Sequence, residues 1–344
     1  MMDLVEALAL TPASFPLDGS PDGSRVRLVH LDEAAYARAS FLDGRLITPG
    51  LPSVWTDWAA IEQAARRLPT RSHFILHVGH VGSTLLSRLM GEHPGLFSLR
   101  EPALLREVAA SPLGQRLPVL LALFSRTWRA GQTALIKATS FVSEIGPDLL
   151  DQTPQSRAIL LTATPPVYLR SILGGEASRR ESQALALTRR QRLEHRLGAA
   201  APATHTLGEQ IALNWLCEAT ALGAVADAHP SRCLWLDFDR VLADPIPWLA
   251  AAFSHLRVDP DALDLTALTQ GPIMHRYAKG PEHAYDAALR RQVQDEAART
   301  FGLDVSTGMA WLQRAADALP AVRGALGRAA LAARAPLAAD PEAS

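Results

Sequence analysis

From residue 72 onward, short apolar runs alternate with longer stretches in which apolar residues recur every three or four positions. Runs of this kind, with no polar alternation inside them, suit strands covered on both faces, and the helical stretches between them supply the crossovers of a parallel sheet. Five strands are expected, at 73–78, 96–99, 134–138, 157–162 and 233–237, with helical spacing over 117–129, 182–197 and 207–228. The fold class that follows is α/β, three-layered around a central, mostly parallel sheet. No internal repeat is evident.

The flanks read differently. Residues 1–70 mix turn-rich stretches with short apolar runs such as Val26-Arg27-Leu28-Val29, and predict a small accessory layer ending in a helix over 55–68. Beyond the last strand come a helix near 247–256, an irregular segment over 269–285 and helices near 287–301 and 308–319. The chain therefore divides into an accessory layer (1–70), an α/β domain (71–320) and a tail (321–344). The tail, rich in Ala, Arg and Pro without a strong apolar face, is expected to be disordered or loosely helical.

Composition narrows the function. With 48% hydrophobic and 20% charged residues the 344-residue chain has a globular balance and length enough for a sizeable core. Its 34 basic and 35 acidic side chains give a near-neutral charge without long basic runs, so a nucleic-acid partner is not expected, whereas a nucleotide pocket needs only a few placed cations. No apolar run is long enough to span a bilayer, and the first twenty residues lack a basic stretch before their apolar one, so no membrane partner is expected. The two cysteines, Cys217 and Cys233, have no metal-ligand spacing and fit the reducing cytoplasm. Only Lys137 and Lys279 are lysine, in a chain that otherwise uses arginine, which marks both as candidates for work a planar guanidinium cannot do; chance is the competing explanation.

The strongest local feature is the passage from the strand Phe74-Ile75-Leu76 into Gly79-His80-Val81-Gly82-Ser83-Thr84 and on into an apolar-periodic helix. Such a turn aims backbone N–H groups and a helix N-terminus at one point, with glycine permitting close approach of an anion. A plain strand-to-helix turn capped by Ser and Thr is the simpler reading. A Walker A loop is excluded, because no lysine stands in Val81-Gly82-Ser83-Thr84.

This turn resembles that of the sulfotransferase family, P-loop-related enzymes that transfer a sulfuryl group from 3'-phosphoadenosine 5'-phosphosulfate to a hydroxyl or amine. The family's loop runs proline, a lysine or arginine, serine, glycine, two hydroxyl residues and, one further on, leucine; Gly79 to Leu86 align with it, Gly82 to Leu86 following that order and His80 standing where the family has its cation. The resemblance implies that Gly82, Ser83 and Thr84, flanked by Gly79 and Leu85, hold the 5'-phosphosulfate. It continues at Arg100-Glu101-Pro102, making Glu101 the candidate general base, and at Lys137-Ala138-Thr139-Ser140, making Lys137, with His80, the candidate for neutralising charge on the transferring group. A surface Arg-Glu pair and a snorkelling strand-end lysine are the plainer readings of these two sites.

Ser171 stands where the family's serine binds the 3'-phosphate, but the partner arginine of that motif falls on Ala163, leaving Arg170 or Arg276 as candidates to replace it. Leu234 to Pro245 matches the family's later strand-to-helix phrase, and Met274 to His283 occupies the place of its basic closing loop, where Arg276 and Lys279 would clamp phosphate and Tyr277 would stack on adenine. The likeness covers about 72–282.

The function so implied is sulfuryl transfer from 3'-phosphoadenosine 5'-phosphosulfate as co-substrate, with no metal, to a small-molecule or peptide acceptor that no motif identifies. Two alternatives stay open: a noncatalytic nucleotide-binding or assembly protein on the same fold, suggested by His80 and Ala163, and a nucleotide-dependent phosphotransferase.

Overall fold

The computed structural model describes residues 11–110, 113–276 and 286–334, together with Leu8 and Ala278. Two sheets organise them. A three-stranded antiparallel sheet in the order β1-β2-β3 is formed by β1 (Ser14–Gly19), β2 (Arg25–His30) and β3 (Ser53–Asp57). The larger sheet is five-stranded and parallel, in the order β5-β6-β4-β7-β8, with β4 at Ser72–His77, β5 at Leu96–Arg100, β6 at Thr133–Lys137, β7 at Ala158–Thr162 and β8 at Cys233–Asp237. All five expected strands are present within one residue of their expected limits, because each is an apolar run buried from end to end or, in β8, over its last two residues. Helices flank this sheet, and no helix among the described residues is long and apolar enough to cross a membrane.

The strand order fixes where a ligand can sit. From β4 the chain moves out to β5, returns to β6 beside β4, and then crosses to β7 on β4's other side. Crossovers that leave a central strand in opposite directions open a crevice at its carboxyl end. The glycine turn follows β4 directly.

Three expectations are corrected. The helix expected from residue 55 begins at Trp58 (Trp58–Ala65), because Ser53–Asp57 pairs with β2 in the register Arg27 to Trp55 and Val29 to Ser53. Val-Trp-Thr suits an edge strand, and the Arg25 and Arg27 guanidiniums lie 5.8 and 5.3 Å from the Trp55 ring. At the other end Pro320–Ala332 is a packed helix rather than a loose tail. Val322, Ala325 and Ala329 are buried on one face against the 22-residue helix Leu207–Ala228. Small side chains form this seam, and alanine favours helix without needing a wide apolar stripe. Similarly, the stretch expected as one helix over 182–197 is two, Glu176–Ala184 and Ala186–Leu197.

Buried His73 at the start of β4 gives the fold an acid-sensitive point. Its Nδ1 accepts the Arg157 N–H at 3.1 Å. Burial first, then the neighbouring charges of His255, Arg71 and Arg157, depress its pKa from 6.5 to about 4. Between those values the unfolded chain binds the proton and the folded chain refuses it, so stability is full above pH 6.5 and falls as pH drops towards 4. Urea unfolding measured across this window should show a loss on the order of 2 kcal/mol. A His73→Gln variant should flatten that part of the profile.

Candidate functional site

Three residues of the turn after β4 lie at positive φ: Gly79 at 86°, His80 at 53° and Gly82 at 69°. For a histidine this is an uncommon conformation, held by its surroundings. Its Nδ1 lies 3.3 Å from Ser178 Oγ, and its Nε2 lies 3.5 Å from a Glu181 carboxylate oxygen. His80 thus turns towards the helix Glu176–Ala184.

Gly82 is required on two counts. Besides its φ, a Cβ there would fall 1.8 Å from Cζ of Phe238. Phe238 is put there by the strand-to-helix phrase after β8: buried Asp237 accepts the N–H groups of Asp239 and Arg240 at 3.0 and 3.2 Å, capping Phe238–Ala243 and presenting Phe238 to the turn. Burial, the larger influence, raises the Asp237 carboxyl pKa despite those two bonds.

Not every N–H of the turn is available to a ligand. Gly79 donates its N–H to His77 Nδ1 at 2.9 Å, which makes His77 Nε2 the donor to the Ala138 carbonyl at 2.9 Å. This buried imidazole ties the turn to β6. The anion-binding capacity lies one step on, in the helix Ser83–Gly91, whose first intrahelical bond in this region runs from Leu86 N–H to Gly82 O at 3.1 Å. The N–H groups of Ser83, Thr84 and Leu85 precede it and are the donors a helix start leaves open. Thr84 Oγ1 is buried there without a hydrogen-bond partner. An orphaned hydroxyl beside open N–H groups fits an anionic oxygen.

A cavity of about 270 Å³ opens on this helix start. Gly82, Ser83, Thr84 and Leu85 line it, with His80, and so do Ser171 and Arg276 from distant parts of the chain. Glu101 and Lys137 do not. They form a salt bridge with each other at the carboxyl ends of β5 and β6, with the Lys137 side chain 1% exposed and that of Glu101 15% exposed. Glu101 too has a positive φ, 53°, and its N–H donates to the Lys137 carbonyl at 2.7 Å. The pair is linked to the turn through the segment after β6, where Ser140 Oγ would lie 3.6 Å from a Cβ at Gly79.

Ala163 is fully buried, and its carbonyl accepts the Trp215 indole N–H at 3.1 Å, so this position carries packing only. Arg170 is absent from the cavity lining and its Nε is buried without a partner. Lys279, Tyr277, Glu282 and His283 lie outside the described residues. His77, Phe238, Arg290 and Gln294 also line the cavity, and sequence reasoning passed over all four. The signal for Phe238 was present, in a capped phrase following a strand; His77 was read only as part of its strand, and the other two sit on a helix without any motif.

Sheet order, glycine turn and cavity define an α/β protein with a cavity beside the carboxyl end of its central strand. No known family model matches the chain, and no curated protein matches it. Among solved structures it is similar to the sulfotransferase domain from the Curacin biosynthetic pathway, at 15% identity over 68% of this chain and 98% of that one, with a TM-score of 0.41. It is also similar to a sulfotransferase from Alicyclobacillus acidocaldarius, at 14% identity over 70% of this chain and 96% of that one, with a TM-score of 0.38. A sulfotransferase domain from the Synechococcus PCC 7002 olefin synthase matches at 19% identity over 68% of this chain and 95% of that one, with a TM-score of 0.37.

Proposed function

We propose that the chain is a sulfuryl-transfer enzyme that takes 3'-phosphoadenosine 5'-phosphosulfate in this cavity and passes the sulfuryl group to a hydroxyl or amine acceptor, on a small molecule or a peptide. One observation carries the reading: the turn, Ser171 and Arg276, each singled out in sequence by a separate resemblance, line a single cavity. When bound, the co-substrate supplies the sulfuryl group and a nucleotide leaving group. The chain's own part is to bind and to move one proton. The N–H groups of Ser83, Thr84 and Leu85 and the Thr84 hydroxyl would bind the anionic end, with His80 and Arg276 beside it. Glu101 Oε1 accepts from Lys137, leaving Oε2 as the atom to receive the acceptor's proton. This puts the acceptor on the β5–β6 side of the turn.

Isothermal titration calorimetry with 3'-phosphoadenosine 5'-phosphate tests the reading. Saturable binding to one site per chain is expected, and Arg276→Ala should weaken it about three- to tenfold, as befits an exposed phosphate contact. Folded protein that binds none of this nucleotide would refute the proposal.

A noncatalytic nucleotide-binding protein is favoured by a different observation. His80 contacts Ser178 and Glu181, and Lys137 pairs with Glu101, so both residues expected to neutralise charge at the turn already hold partners. Transfer of labelled sulfate from the co-substrate to any acceptor, abolished by Glu101→Gln, would exclude this alternative.

A further inference from the structure

Arg88 lies on the helix Ser83–Gly91, whose start supplies the open N–H groups, yet it is absent from the lining of the cavity there. Its guanidinium joins two distant pieces of chain to that helix. Nε donates to the Ala278 carbonyl at 2.9 Å, Nη1 to the Ala37 carbonyl at 3.2 Å, and Nη2 to the Arg38 carbonyl at 3.2 Å and to Ser40 Oγ at 2.9 Å. Ser40 Oγ in turn donates to the same Ala278 carbonyl at 3.4 Å, near the limit of hydrogen-bond distance. Residues 37–40 end the helix Glu33–Arg38, and Arg100 holds that end too, donating to the Ala39 carbonyl at 2.7 Å and to the Ala37 carbonyl at 3.0 Å. The last carbonyls of a helix lack partners within it and favour cations, which fits two guanidiniums gathered there.

The other piece carries Arg276. Along it, Met274, Arg276 and Ala278 line the cavity at the turn, while Ile273 lines a second cavity of about 250 Å³ together with Arg88 and Arg100. Before Arg276, the short helix Pro272–His275 packs against Ser83–Gly91. After it, the Ala278 carbonyl is the point that Arg88 holds. Arg276 therefore sits between two attachments to one helix, the helix whose start would receive the anion.

We infer that Arg88 is a positioning residue: by bracing Ala278 against residues 37–40 it sets Arg276 at the nucleotide cavity without itself touching the nucleotide. The inference rests on the proposed nucleotide site and gives the end of the helix Glu33–Arg38 a part in it. Arginine suits the task because its five N–H donors lie in one rigid plane and here meet four acceptors at once. A lysine would keep the charge, but its compact ammonium has only three donors.

Calorimetry on the full chain with 3'-phosphoadenosine 5'-phosphate, run as a double-variant cycle, tests the inference. Arg88→Met should weaken binding about three- to fivefold in the native background, and by less than about 1.5-fold once Arg276 is replaced by alanine, since a residue that acts through Arg276 then has nothing left to place. Arg88→Lys should weaken binding about twofold or more although the charge is kept. If Arg88→Met fails to fold, as judged by circular dichroism, Arg88→Lys and Ser40→Ala carry the same cycle against Arg276→Ala. Native affinity in Arg88→Met, or losses that simply add across the Arg88 and Arg276 variants, would overturn the inference alone. Native affinity in Arg88→Lys would overturn it as well, by showing that charge at a distance suffices. A folded native chain that binds none of this nucleotide would instead overturn the proposed site beneath it.

Discussion

Gly82→Ala is expected to destabilise the protein by roughly 2–5 kcal/mol, from about 1–2 kcal/mol for a side chain in the left-handed region and a further 1–3 kcal/mol for forcing a methyl into packed space. The space is filled by a ring rather than by the end of a flexible side chain. All three nearest atoms belong to Phe238, at 1.8, 2.2 and 2.2 Å from the added Cβ. The ring has little freedom to yield, since Phe238 is buried, leads the helix capped by Asp237, and has the Arg290 guanidinium carbon 5.0 Å from its centre. Chemical denaturation of Gly82→Ala, Phe238→Leu and the double variant gives the decisive number. The double variant should be more stable than the two single losses predict by about 1–2 kcal/mol, because the smaller side chain relieves the clash that alanine creates. Strict additivity would show that φ alone, and not Phe238, demands the glycine.

That glycine marks how far the sequence could be read. Its place in a strand-to-helix turn was legible, because a buried strand, two glycines, two hydroxyl residues and an apolar-periodic helix stand in unbroken order. The sheet was legible for the same reason: strands β4 to β7 are built around runs of Ile, Leu, Ala and Phe without polar alternation, which parallel sheets covered on both faces require. What failed depended on contacts that only folding creates. Trp55 suits helix or strand alike until Arg25 and Arg27 are seen beside it. The alanine-rich stretch 320–332 looks unpartnered until a long helix with its own small residues is laid against it.

The site itself divides along the same line. Ser171 and Arg276 were singled out because each belongs to a local phrase, and both line the cavity. Arg290 belongs to no phrase. It enters through the packing of Ala287–Thr300 against Pro165–Leu173, the helix that carries Ser171. His77 was hidden differently, because a histidine closing an apolar strand is unremarkable until its two ring nitrogens are seen to join the turn's first N–H to β6.

Lys137→Met is expected to cost about 3 kcal/mol of stability and, on the proposed reading, to lower sulfuryl transfer by about 10²–10³-fold. Lys137 is one of two lysines in the chain and is buried to 1% exposure, and the Glu101 carboxylate meets its ammonium there. Removing the ammonium leaves Glu101 unpaired at the end of β5, and the 15% of its side chain still exposed lets water compensate in part, which keeps the cost at the lower end for a broken buried pair. Stability and transfer should then separate in the double variant Lys137→Met/Glu101→Gln. With both charges of the pair gone, no buried carboxylate is left facing an empty place, and stability should return to within about 1 kcal/mol of the native chain. Transfer should not return, since neither the cation nor the proton acceptor is restored. Denaturation midpoints and initial rates on the three proteins decide the matter: full activity in the stable double variant would show that the pair only holds β5 to β6, and that the acceptor's proton goes elsewhere.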